Sequence, residues 1–251
     1  DGQNSVHAFY GHLYNCRVES IALSDGVVTA TVRTEGGLKQ MEVLLRDFQR
    51  REGENEFEFI RLYGELYFKD LLGHDAIGNA RPVSIRYGIH NFEFLDRRLL
   101  GNNQWRNTAN TFQGFHGSLG QESNDWQIDL LAVQPLNRLK YDWDRPVEQQ
   151  WVYALIGHWR GWSDIITLEP YYLALHQSAY AGVAERTVHN PGLRGYGVVG
   201  ASGFDYDASV NYQFGQNGAN KVRAYAGTVE VGYTLSSNPW KPRISLFYGY
   251  A

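Results

Sequence analysis

The chemistry open to this chain rests on its acids, histidines, serines and arginines. Two carboxylate pairs stand two positions apart, Asp142/Asp144 and Asp205/Asp207. On a strand that spacing puts both groups on one face, where a general acid and a general base could work together. Asp142 to Pro146 reads as a turn whose aspartates bond backbone amides, and Asp205/Asp207 reads as the lining of a polar strand face. His116-x-Ser118 and His176-x-Ser178 each place a base and a nucleophile on one strand face. The Asn-Gly expected after such a serine is absent from both. The eight histidines, His7, His12, His74, His158 and His189 among them, form no HxxxH or HExxH element, and Cys16 stands alone. No metal centre, cofactor or disulfide framework is expected.

Arginine outnumbers lysine by 18 to 5, although the net charge is −4. Arginine offers a rigid fork of donors suited to carboxylates, whereas a near-neutral chain carries no global signal for nucleic acid. The 14% aromatics exclude a disordered chain. A helical membrane protein needs apolar runs of about 18 residues, and the sequence has none. It shows no secretory signal either, so Asp1 reads as a mature start. A chain rich in aromatics and glycine, with a mean hydropathy of −0.43, suits an outer-membrane β-barrel. There the apolar belt faces lipid and the interior is wet.

The elements that must position these groups are strands. Phe204 to Phe214 reads FDYDASVNYQF, with Phe204, Tyr206, Ala208, Val210, Tyr212 and Phe214 alternating with Asp205, Asp207, Ser209, Asn211 and Gln213. This is a period of two, apolar on one face and polar on the other. A spanning strand needs about 9–11 residues with interfacial aromatics, and this one has both. Arg243 to Tyr250, Tyr225 to Leu235, Trp126 to Ala132, Trp151 to Trp159 and Val83 to Ile89 repeat the pattern, with Leu131 and Phe247 breaking their polar rows. Phe57 to Leu71 and Ile165 to Leu175 are long and aromatic without a clear facing. The runs VESIAL, VVTATV and LKQMEVLLRDF are joined by the turn signals SDG and EGG. Twelve to fourteen strands are readable.

The run at 81 to 117, RPVSIRYGIHNFEFLDRRLLGNNQWRNTANTFQGFHG, resembles the alginate-export family of outer-membrane barrels. Arg98, Leu99, Leu100, Gly101, Asn102, Trp105, Asn107, Thr111, Phe112 and Gly114 stand where that family carries its matching element. DWQIDLLAVQP at 125 to 135 and the stretch 204 to 235, with Tyr212, Gln213, Phe214, Gly215 and Arg223, are also similar to it. The resemblance covers roughly residues 57 to 251. Gly88-Ile89-His90 departs from the family's Gly-Arg-Gln-like element, residues 14 to 48 match nothing in it, and the terminal Phe common in such barrels is missing. The resemblance implies a barrel of about 18 strands, a tight fit for 251 residues, so a fragment or missing loops are expected.

The expected fold is therefore all-β, a single antiparallel transmembrane β-barrel domain over 1–251, located in the bacterial outer membrane. Its pore-lining and anion-binding candidates are Arg86, His90, Asp129, Asp205, Asp207, Arg223, Glu230 and Arg243, with Arg61, Glu65, Glu169, Arg186 and Arg194 of uncertain facing. The same charges could simply pair across strands. By the rule that long loops lie outside, 97 to 110 would be extracellular. Because it carries the family's most recognisable element, a fold into or beside the lumen is expected instead, with Arg97, Arg98, Asn102, Arg106 and Asn107 at a constriction. The expected partners are an anionic, alginate-like polysaccharide or small anionic solutes, the lipid bilayer and periplasmic export proteins, with no nucleic acid. Two other readings keep the same strands. One is a soluble β-sandwich that binds carbohydrate, and the other is a phospholipase-like barrel enzyme.

Overall fold

In the computed structural model the described residues are 61–101, 110–137, 139 and 143–251. The backbone of strand residues 16–24, 27–34, 37–45 and 59–60 is described as well. They form one antiparallel sheet of fourteen strands and, among the described residues, no helix. In chain order these are β1 (Cys16–Ser24), β2 (Val27–Thr34), β3 (Gly37–Leu45), β4 (Phe59–Phe68), β5 (Val83–His90), β6 (Phe112–Leu119) and β7 (Trp126–Asn137). Then follow β8 (Arg145–Pro146), β9 (Gln150–Trp159), β10 (Thr167–Gln177), β11 (Arg186–Val198), β12 (Phe204–Asn217), β13 (Asn220–Thr234) and β14 (Arg243–Tyr250). Every strand pairs with its neighbour in sequence, except that the two-residue β8 pairs β7 to one side while β7 and β9 pair directly. Among the described residues β1 and β14 stand at the two edges, and the sheet is not closed.

The period-two pattern gives the sheet two unlike faces. On β12 and β13 the register pairs Phe204 with Tyr233, Val210 with Gly227 and Tyr212 with Tyr225 on one face. On the other it pairs Asp207 with Glu230 and Ser209 with Thr228. Ile85, Tyr87, Phe115, Leu130, Tyr153, Leu155 and Trp159 continue the first face, and all are exposed. The second face is covered, because the segment 91–101 after β5 turns back over it. Leu131, which breaks the polar row of β7, lies on this face. With Val133, Ala154, Ile156, Tyr171 and Leu173 it forms an apolar patch that receives Phe92 and Leu100.

β11 has no counterpart among the predicted strands. Pro191, Gly192, Gly195 and Gly197 hide its pattern. Proline cannot donate to a ladder, and the pairing of β11 with β12 lapses between His189 and Gly192. Gly192 is required for a different reason: a Cβ there would lie 2.2 Å from the Tyr171 ring, which rests on it. Gly88 and Gly114 face one another across β5 and β6. Both take positive φ, 148° and 151°, and each would drive a Cβ into the neighbouring strand's backbone. They act as paired kinks that let the sheet coil tightly.

One end of the sheet is tied by hydrogen bonds between turns. Asn124 Nδ2 donates to Asp75 Oδ2 at 2.9 Å, and the amides of Ile77 and Asn79 donate to Asp75 Oδ1 at 3.1 and 2.7 Å. These donors, Asn124 foremost, hold the Asp75 carboxyl below its ordinary range. Arg81 Nη2 spans both oxygens of Asp125, each at 2.8 Å.

Gly88→Ala should lower stability by roughly 1–3 kcal/mol, since its Cβ would stand 2.2 Å from the Leu62 carbonyl oxygen. Gly64→Ala, with open space around it, should change stability by no more than about 0.5 kcal/mol. Urea midpoints of the two variants compare them directly.

Candidate functional site

The covered face carries a belt of alternating charge at one level of the sheet. On β4 and β5, Glu65 accepts from Arg86 Nε at 2.9 Å and from the Ser84 hydroxyl. The Arg86 guanidinium also lies 5.2 Å from the centre of the Tyr63 ring. His116 Nε2 on β6 donates to Asp129 Oδ1 on β7 at 2.7 Å. Asp129 Oδ2 accepts from Gln127 at 2.7 Å and stands 3.3 Å from His158 Nε2 on β9. His158 Nδ1 meets Glu169 Oε1 on β10 at 2.8 Å. His158 thus lies between two carboxylates, with Nδ1 toward Glu169 and Nε2 toward Asp129, a setting that favours its protonated form. Glu169 Oε2 then takes Arg194 Nη1 from β11 at 2.9 Å, and Arg194 grips Asp207 of β12 through Nη2 at 2.5 Å. Arg243 on β14 closes the series, reaching Asp205 Oδ1 at 2.5 Å and Glu230 Oε1 at 2.9 Å. Asp129 is 1% exposed, so its charge survives only because these partners surround it.

Segment 91–101 crosses this face from β5 to β14. Its root is apolar. The Phe92 ring stacks on His90 at 5.3 Å and meets the edge of His116 at 5.5 Å, and Phe94 lies 6.0 Å from His116. Its tip is polar. Ser209 Oγ donates to Asp96 Oδ2 at 3.3 Å, and Arg98 Nη1 donates to Thr228 Oγ1 at 3.0 Å and to Asp96. The Arg98 guanidinium lies over the Phe247 ring, 4.9 Å from its centre. Leu95 and Arg97 hold φ of 57° and 66°, conformations that cost side-chain-bearing residues free energy and cluster at functional sites. Beneath the tip lies a cleft of about 350 Å³ lined by Arg97, Arg98, Arg194, Asp207, Thr228, Glu230 and Phe247.

The structure brings most of the predicted lining residues to one face. Arg86, His90, Asp129, Asp205, Asp207, Glu230 and Arg243 share it, and so do Glu65, Glu169 and Arg194, whose facing the pattern left open. Arg61 joins them with its Nε donating to Asn91 Oδ1 at 2.5 Å. Arg186 begins β11 on the same face, and its buried Nε has no hydrogen-bond partner among the described residues. Arg223 departs from the expected lining. It pairs with Phe214 across β12 and β13 and so stands on the apolar face, close to the hairpin. Its place near the strand start hid which face it takes. Arg97 and Arg98 fall on the inturned segment, while Asn102, Arg106 and Asn107 lie outside the described residues, as does Asp142.

Pattern reading passed over Asp96, Ser209, Thr228, His116 and His158 as members of the site. Ser209 and Thr228 were legible as polar-face residues. The alternation of Phe92 and Phe94 was the signal that the segment after β5 packs against something. The candidate hydrolytic pairs are engaged elsewhere. The Ser118 hydroxyl donates to the Gly120 carbonyl at 3.2 Å while His116 binds Asp129, and His176 Nδ1 lies 3.1 Å from Thr187 Oγ1.

A coiled antiparallel sheet with one apolar exposed face and one covered, charge-lined face is the kind of wall that β-barrel proteins are built from. The chain belongs to the alginate-export family: the sequence model of that family, described as "Alginate export", matches residues 33–251. The match begins before the resemblance at 57 to 251, at the end of β2, and takes in all of β3, so residues 33 to 48, which were expected to match nothing in the family, belong to it. Comparison with curated proteins and with solved structures gives no match. The family is one of transport and export, and export of alginate or a related polysaccharide is the role it supports.

Removing His158 tests the belt. His158→Leu would leave Asp129 facing Glu169 without the cation between them, and loss of one partner of a buried ion pair costs about 3–5 kcal/mol. Glu93→Gln, which breaks the exposed pair with Arg97, should cost less than about 1 kcal/mol. Denaturant titration of both variants in the same detergent gives the comparison.

Proposed function

We propose that the protein is an outer-membrane channel that passes an anionic, alginate-like polysaccharide, or small anionic solutes, by passive diffusion. The observation that carries this reading is the exposure of charge along the covered face. Arg97, Arg98 and Arg243 side chains are 58%, 46% and 42% exposed. The carboxylates paired with Arg98 and Arg243 stand further back, Asp96 at 13%, Asp205 at 27% and Glu230 at 33%. Each cation is therefore fixed by an acid behind it while its outer edge meets the solute. In a narrow, poorly screened section such charges decide selectivity more than the chain's net charge does. The inturned segment serves as the constriction, and the apolar face with its aromatic ends meets lipid. Weak contacts at several arginines suit transit, since tight binding at one would stop it.

Two measurements test the reading. In planar bilayers under a salt gradient, the unmodified protein should show anion preference, and a polyuronate should block the current transiently. Arg98→Ala or Arg243→Ala should shift the reversal potential toward cations. Cation selectivity unchanged by either substitution would leave a general porin. The lipid-facing assignment predicts that Val210→Arg costs about 2–4 kcal/mol and Gln213→Arg little, because only the first puts a charge on the lipid side. Heat-modifiable mobility in detergent scores both variants, and a monodisperse folded protein in plain buffer would refute the membrane assignment.

A further inference from the structure

The Arg98 side chain already holds a carboxylate, and that carboxylate belongs to its own loop. Asp96 binds Arg98 Nη1 and accepts from the Arg98 backbone amide at 3.2 Å and from Ser209 Oγ at 3.3 Å. Among the described residues, Arg98 spends only Nη1, on Asp96 and Thr228, while the flat guanidinium rests on Phe247. Nε and Nη2 stay unpaired in a group that is 46% exposed on the cleft. Across the cleft, Asp207 and Glu230 are each 33% exposed. Asp207 is held by Arg194 and Glu230 by Arg243, and a carboxylate oxygen with a free lone pair can accept from a hydroxyl group.

We infer that Asp96 is an internal competitor for a uronic-acid subsite built from Arg98, Phe247, Asp207 and Glu230, and that an arriving sugar carboxylate displaces it from Arg98. This rests on the anionic-polysaccharide reading above and adds to it a residue that opposes binding. The Arg98 guanidinium keeps a second fork, Nε with Nη2, that Asp96 leaves free, so the two acids contend for one positive charge rather than for the same donors. A ligand carboxylate on Nε and Nη2 shares the same positive charge with Asp96 and weakens the older bond. The sugar's hydroxyls then supply the donors that Asp207 and Glu230 lack on the cleft side. A bare anion has no such donors and meets two carboxylates, so the site favours a hydroxylated acid over chloride or acetate. Displacement also frees Asp96 from Ser209, which ties occupancy to release of the loop tip from β12.

The test compares a short oligouronate with a neutral oligoglucoside of equal length, by calorimetry on the detergent-solubilised protein and by current block in bilayers. Asp96→Asn keeps the shape and removes the competing charge, so the oligouronate should bind about threefold tighter or more, the range open to an exposed ion pair. Arg98→Ala should weaken binding, and neither change should affect the neutral sugar. Asp96→Ser, which also removes the charge, repeats the gain if Asn fails to fold. Oligouronate binding that is unchanged or weakened in both Asp96 variants would overturn the inference while leaving a conducting, anion-preferring wild type intact. Calorimetric binding that tightens in Asp96→Asn, in a protein that conducts nothing, would keep the subsite and remove the channel.

Discussion

Asp129 imposes the arrangement of the covered face. A carboxylate with almost no exposure cannot stay charged without partners, and its own strand supplies only Gln127. The rest come from β6 and β9, as His116 and His158. His158 then needs a second carboxylate for its other nitrogen, which brings in Glu169, and Glu169 brings in Arg194. Each partner sits one strand further round the sheet, so one buried charge fixes the side-chain order across β6 to β12. A one-residue slip of any strand would turn its member of the series to the apolar face. The belt contributes less to stability than to register, since buried ion pairs gain little over apolar packing but penalise mispairing heavily.

The inturned segment depends on this belt as well as on apolar contact. Phe92 and Phe94 need the ring edges of His116, and His116 keeps its orientation because Asp129 holds Nε2. The root of the segment thus rests on a rigid, buried shelf. The tip rests on hydroxyls and on one aromatic ring, all at or near the surface. Root and tip differ in what opening them would cost: apolar area and a buried network at one end, a few water-exchangeable bonds at the other. Movement, where the segment moves, belongs to residues 95–98.

Much of this was legible in the sequence because period two leaves little freedom. FDYDASVNYQF and RISLFYGY take the facing that their alternation gives, Phe247 on the polar side included. Phe247 looked like an error in the pattern and is the platform for Arg98. Leu131 looked like a second error and is part of the seat for Phe92. Both anomalies marked places where something else lies against the face, and a single strand cannot show what that is. β11 was hidden because its glycines and Pro191 answer to neighbours, to the Tyr171 ring and to a lapse in the ladder, rather than to its own periodicity. The pairing of each arginine was out of reach for the same reason, since Arg194 finds Glu169 and Asp207 only through register with β10 and β12.

A belt that is neutral pair by pair behaves differently from a ring of one sign. A ring of unpaired arginines would draw a polyanion in and hold it, because each sugar carboxylate would gain a full charge-assisted bond with nothing given up. Here Arg86, Arg194 and Arg243 each already have an acid, so on the proposed channel reading a passing carboxylate would exchange one partner for another and gain only the difference. The gain is small at each position and recurs at the next, which keeps the free-energy profile along the path shallow. Such a profile suits a long polymer, whose many charges would otherwise sum to an affinity too high for release. On the proposed channel reading, the acids that oppose an anionic cargo would thus be what lets the arginines face it without trapping it.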